Sequence, residues 1–239
     1  AEILPSPETL DVASLIPAMP AFSMTGTNLT STWTSGQWGG HTYTLTASNY
    51  FYNGNYNLNG HNYIVPAGTT TTLYINGTLN DIKDNRITGG GNLIIYAKNG
   101  IQLSGGYIDV GSSGSVSIYT PVALEINKES YINGQTVTVL AQKSTSTLNG
   151  GSINATLAGA VTKIYTENFT INSSSSIISG NGAGMVVAIK DISITAGSAE
   201  NTIFVAGGNI SAKASISTVV GGLYANGTIS ISELTMKIN

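Results

Sequence analysis

The densest gathering of side chains able to do chemistry is the stretch Asp81, Lys83, Asp84 and Arg86. Two carboxylates beside two cations are the residue types of a glycoside-cleaving site. One carboxylic acid would protonate the leaving oxygen, its partner would act as base or nucleophile, and the cations would clamp an acidic sugar. That reading makes Asp81 and Asp84 the carboxylates of a polysaccharide-degrading enzyme. The competing reading is a solvated corner of mixed charge. Asp109 and Glu125 follow in later segments but at non-equivalent positions, so no ladder of aligned acids forms, and the chain is read as non-enzymatic with no catalytic residues. His41 and His61 are the only histidines and stand in no metal-ligand spacing. With no cysteine, thiolate ligands and thiol nucleophiles are excluded. No phosphate, dinucleotide or calcium-loop fingerprint is present, and no metal or cofactor is expected.

What would position these residues is a repeat. "NLIIYAKNGIQLSGGYIDV", "SVSIYTPVALEINKESYING", "TVTVLAQKSTSTLNGGSI" and "AVTKIYTENFTINSSSSIIS" follow one another. Each gives an apolar alternation, a polar corner, a second alternation, and an ending on Gly, Asn or Ser. One apolar track runs Leu103, Ile126, Thr147, Ile171, Ile194, Ala212, Ile231, and another Ile75, Ile95, Ile118, Val139, Ile164, Val187, Val205. Both recur at 18 to 25 residues, the mark of a stacked architecture in which each unit buries its apolar face only against its neighbours. Within a unit the apolar spacing is two, which is strand spacing. A weaker third track (Ile108, Ile132, Ile153, Ile178, Ile216) predicts a triangular section. The fold expected is all-β, a parallel β-solenoid of about eight coils at roughly 4.8 Å per coil. The alternative is an antiparallel β-sandwich, kept open by hairpin-type pairs such as Asn76-Gly77, Asn99-Gly100 and Asn149-Gly150.

Residues 1–30 read as an N-terminal arm or cap and 31–239 as the solenoid. Ser6-Pro7 suits a helix start and Pro17 sets its latest end. Leu10, Val12, Leu15, Ile16, Met19, Phe22 and Met24 make the arm apolar, while Pro17 and Pro20 exclude a central strand. The aromatics Trp33, Trp38, Tyr43, Tyr50, Phe51, Tyr52, Tyr56 and Tyr63 either fill wide first coils or, in a carbohydrate-binding adhesin, stack on sugars. At the other end Ile229, Ile231, Leu234, Met236 and Ile238 alternate to the last residues with no cap helix after them. A parallel stack that stops there leaves an unpaired edge.

Charged residues are 9 % of the chain and the net charge is −3, so no basic footprint for nucleic acid exists. No apolar run is long enough to span a membrane. Seven Asn-x-Ser/Thr sequons, at Asn28, Asn76, Asn154, Asn168, Asn172, Asn209 and Asn226, fit a secreted protein bearing N-linked glycans. A start at Ala1 reads as a mature chain whose signal peptide has been removed. So few ionisable groups imply a fold that changes little with pH, suited to an acidic exterior.

The phrase "NYIVPAGTTTTLYINGTL" (Asn62 to Leu79) resembles the opening coil of right-handed parallel β-helix proteins, and with the repeats the resemblance covers roughly residues 43 to 239. It implies an architecture shared by polysaccharide lyases, tailspikes, adhesins and surface-layer proteins. The low-charge, sequon-rich profile resembles archaeal-type cell-surface and filament subunits. The expected function is a structural subunit of an extracellular filament (pilus- or thread-like) or surface layer, with copies of itself as partner. Such a subunit would join head to tail, the arm adding as a donor strand to a neighbour's open end. The expected contacts are Leu10, Val12, Leu15, Ile16, Met19, Phe22, Met24, Leu234, Met236 and Ile238.

Overall fold

The computed structural model describes residues 9–29, 40–58, 60–81, 85–213, 218–232 and 235–237. These form a parallel β-solenoid of about eight turns. A representative turn contains Asn92–Ala97, Ile101–Ser104 and Tyr107–Asp109, and the next repeats it with Ser115–Thr120, Leu124–Asn127 and Tyr131–Asn133. Each strand pairs in parallel with its equivalent one turn away, which generates three sheets around one core. Sandwich geometry is ruled out by this pairing: the Asn-Gly pairs lie at corners between sheets, and the antiparallel contact among the described residues is an isolated bridge, Asn127 to Gly150.

The inward row of the first sheet runs Tyr50, Leu73, Ile95, Ile118, Val139, Ile164, Val186, Phe204, Leu223. That of the second runs Leu103, Ile126, Leu148, Ile171, Ile194, Ala212, Ile231. The third sheet stacks Tyr63, Ile87, Ile108, Ile132, Ile153, Ile178, Ala199. The three rows confirm the triangular section and the period, with single-residue corrections. Leu148, not Thr147, faces inward; Leu73, not Ile75, pairs with Ile95; and Val186 and Phe204 take the inward places expected of Val187 and Val205. Because successive strand residues point to opposite faces, a one-residue slip turns a core residue into an outer one. Ile216 lies outside the described residues.

Corners would leave main-chain groups unpaired, and small polar side chains satisfy them. The Ser130, Ser146 and Ser176 hydroxyls accept from the N–H groups of Gly105 (2.6 Å), Leu124 (3.2 Å) and Gly150 (3.0 Å) one turn away. Such polar corners replace the Lys and Glu of an ordinary surface.

Tyr50, Tyr56 and Tyr63 are buried in the first coils, as expected if aromatics fill a wide opening section. Burial raises the Tyr56 phenol above its ordinary range, and pushes that of Tyr63 up to about 12. Trp33 and Trp38 lie outside the described residues.

The arm ends at the solenoid's first strand, where Thr27–Asn28 pairs with Tyr50 and Phe51 and Leu29 is fully buried. Before that it contains one 3₁₀ turn, Val12–Leu15, with Asp11 as its N-cap. The turn stops at an extended Ile16, the conformation a following proline imposes. Ser6 and Pro7 lie outside the described residues.

Candidate functional site

On the outer face of the first sheet, one residue beyond the inward row, a second row runs the length of the rod. It comprises Phe51, Tyr74, Tyr96, Tyr119, Leu140, Tyr165, Val187, Val205 and Tyr224, each in register with the next. Its sequence signal is the break in alternation: Ile95-Tyr96-Ala97, Val139-Leu140-Ala141, Val186-Val187-Ala188 and Phe204-Val205-Ala206 are apolar without interruption. A strand apolar on both faces must be covered on both.

The cover is the arm. Val12 is buried against Leu140, Tyr165, Val187 and Val205, with Ile16 and Met19 packed beside it. Phe22 sits edge-on to Tyr74 and Tyr96, at ring distances of 5.5 and 5.1 Å. The Lys98 ammonium lies over the Phe22 ring, 4.4 Å from its centroid, a cation–π contact. At the far end the backbone of Leu10 is held in both directions by Asn226, whose Oδ1 accepts from the Leu10 N–H (3.1 Å) and whose Nδ2 donates to the Leu10 carbonyl (2.9 Å). Dimensions agree with a strap running back along the rod. Seven register steps from Tyr74 to Tyr224 at about 4.8 Å cover about 34 Å. The path from Leu10 to Phe22, with one 3₁₀ turn at about 2 Å per residue and the remainder at about 3.3 Å, reaches roughly 34 Å.

The arm residues expected to touch a neighbour are therefore sorted by the structure. Val12, Ile16, Met19 and Phe22, expected as subunit contacts, pack in this chain on its own outer row, which is apolar and which the arm shields. Met24 is half-buried, while Leu10 (37 %) and Leu15 (41 %) point to solvent. Leu234 and Ile238 lie outside the described residues; Met236 is in the strand Thr235–Lys237, paired with Val219.

The last turn is the second feature. Ile229 and Ile231 pair with Ile210 and Ala212, which are buried at 0 % and 1 % exposure, yet they are themselves 40 % and 45 % exposed. They are core residues of a stack that has no further turn over them among the described residues. Among the described residues the strand Ile229–Ser232 is paired on one side, with Ile210–Lys213, and its other main-chain edge has no partner strand.

Asp81 takes the register position beside Leu103, in a row that elsewhere faces the core, and Lys83 and Asp84 lie outside the described residues. Arg86 stacks over Tyr107, at 5.5 Å. His61 is buried, with its ring 5.7 Å from that of His41. Its pKa is lowered by burial and, secondarily, by His41.

Among the sequons, Asn154 is corrected. It is fully buried, its Oδ1 accepts from the Gly134 N–H (3.0 Å) and its Nδ2 donates to Thr162 (3.1 Å), so the folded chain has no room for a glycan there. Asn226 is engaged with the arm. Asn76 donates to Asn53, Asn168 accepts from the Asp191 N–H, and Asn209 bridges Asp191 and Thr228. Asn28 and Asn172 are exposed.

No helix among the described residues is long and apolar enough to cross a membrane. No protein-family model, curated protein or solved structure matches this chain.

Proposed function

We propose that this chain is a structural subunit of an extracellular filament or surface layer, formed from copies of itself joined head to tail, and that it has no catalytic role. The observation that carries the reading is the exposed last turn. Ile229 and Ile231 occupy buried rows yet face solvent, beside a strand edge that a further strand would complete. A second copy whose first coils continued these rows would bury both isoleucines, and burial of a full side chain contributes about 1.5–3 kcal/mol. Such a contact joins two different surfaces and does not close on itself, the geometry of an open polymer. The outer row, ending at Tyr224 and beginning at Phe51, would continue across the junction.

The arm enters this picture as a strap. A donor-strand exchange onto a neighbour's row would first have to break the contacts of Val12, Ile16, Met19 and Phe22 with their own row, whereas stacking through the last turn leaves them in place. The sequons with exposed side chains, Asn172 foremost, suit a secreted, glycosylated subunit.

Replacing Ile229 and Ile231 together by Asp tests the reading. Two carboxylates at the end of the core rows should leave soluble monomers in light scattering and negative-stain images, under conditions where the wild-type protein polymerises. Circular dichroism should show the sheet content retained. Polymers of undiminished length from the double variant would refute contact through this edge.

A further inference from the structure

The strap does not seal its whole flank. Between Ile16 and the corner that joins the first and second sheets lies a cleft of about 270 Å³, walled by Leu140, Ala141, Thr166 and Ile189, with Gln142 and Lys143 at its rim. Its surroundings are apolar in an unusual way for this surface: Ile189 is 41 % exposed, and so is Leu15, next along the strap. The lining contains one charged side chain, the Lys143 ammonium, in a chain that as a whole is negative. Glu167, a carboxylate at this corner, is bound to Lys190 at 2.7 Å and accepts from the Ser144 N–H at 2.6 Å. Glu167 is thus taken up by Lys190, and Asp191, next in the chain, accepts from the Asn209 N–H at 2.7 Å, while Lys143 is the charged side chain in the cleft's own lining.

An apolar hollow just below the roughly 300–1,000 Å³ of ordinary small-molecule sites, lined also by one ammonium group and one amide, is complementary to one kind of molecule. We propose that this cleft binds a medium-chain aliphatic carboxylate, the hydrocarbon lying between Ile16, Leu140 and Ile189 and the carboxylate meeting Lys143 and Gln142. The chain would pack against the strap and the solenoid together, so binding would hold the strap down. The inference is independent of head-to-tail assembly and survives if that reading fails.

The test uses the full chain and a series of hexanoate, octanoate and decanoate below their micellar concentrations, followed by calorimetry and by amide spectra. Affinity should rise by about two- to fourfold for each methylene taken into the cleft. Shifts should centre on Ile16, Leu140 and Ile189, and amide exchange across Val12–Leu15 should slow as the ligand saturates. Lys143→Glu, on an exposed side chain, should weaken decanoate at least fivefold while leaving decanol unchanged, and raised salt should narrow that gap. Ile189→Ser should weaken both. No saturable binding of decanoate, an affinity indifferent to chain length, or equal loss of decanol and decanoate in Lys143→Glu would each overturn the proposal. So would dimerisation through this flank, abolished by Leu15→Asp, in place of ligand binding.

Discussion

If the arm is a strap held by side chains, truncating the residue it buries against the outer row should loosen the strap and leave the rod alone. Val12→Ala removes two methyl groups from a position 4 % exposed, packed on Leu140, Tyr165, Val187 and Val205. At about 0.8 kcal/mol per buried carbon the docking equilibrium weakens by about 1.6 kcal/mol, or roughly 15-fold in the open population. The assay is amide exchange by residue. The N–H groups of Ser14 and Ile16, bonded within the turn to Asp11 and Ala13, and that of Leu10, bonded to Asn226, report the docked strap. They should exchange about 15-fold faster in the variant, whereas Ile118 and Ile164, deep in the first sheet, should exchange only through larger openings and keep their rates. Equal acceleration throughout would show that strap and solenoid unfold as one unit. Unchanged rates at Leu10, Ser14 and Ile16 would show that Val12 does not hold the strap.

Two further outcomes follow from the interior. His61 is buried with its pKa lowered, so above its ordinary value near 6.5 both folded and unfolded chains carry it neutral and it contributes no pH dependence. Below that value the unfolded chain takes up the proton first. Stability should therefore fall with pH through the window between the ordinary value and the lower folded one. Urea unfolding should show this loss between pH 7.5 and 5 in the wild type and not in His61→Gln; identical losses would place the effect elsewhere. Gly89 has φ +131°, and an added Cβ would stand 2.0 Å from the Val65 carbonyl oxygen one turn away, whereas at Gly159 (φ +68°) it would meet nothing within 4 Å. Gly89→Ala should cost about 2–3 kcal/mol and Gly159→Ala about 1 kcal/mol in unfolding experiments; equal costs would refute close stacking as the reason for Gly89.

The His61 prediction qualifies the expectation of a fold indifferent to pH. That expectation came from the scarcity of charged side chains, and scarcity is a property of the whole surface. One imidazole enclosed in an opening coil titrates against its own cavity, which composition does not register. Likewise, a sequon is visible as three letters, but whether Asn154 faces a glycan or Thr162 depends on which side of a corner it lies.

The period, the parallel pairing and the three-row section were legible because each rests on a regularity repeated in every turn, and no single residue can upset it. The strap's partner was less visible for a related reason. Alternation taken alone implies one apolar face per strand and puts Val187 and Val205 in the core, although Val186 and Phe204 precede them. Two adjacent apolar residues in a strand cannot share a face, so one of each pair had to lie outside. Taken with Tyr96, Tyr119, Leu140 and Tyr165, the displaced residues form a line along the rod that the solenoid cannot bury by itself. An apolar segment broken by Pro17 and Pro20 cannot enter a sheet, but it can lie across one. The unmatched outer row and the unplaced arm therefore answer one another. At the last turn no comparable segment among the described residues covers Ile229 and Ile231, which is why the proposed contact with a second copy is sought at that edge and not along the strap.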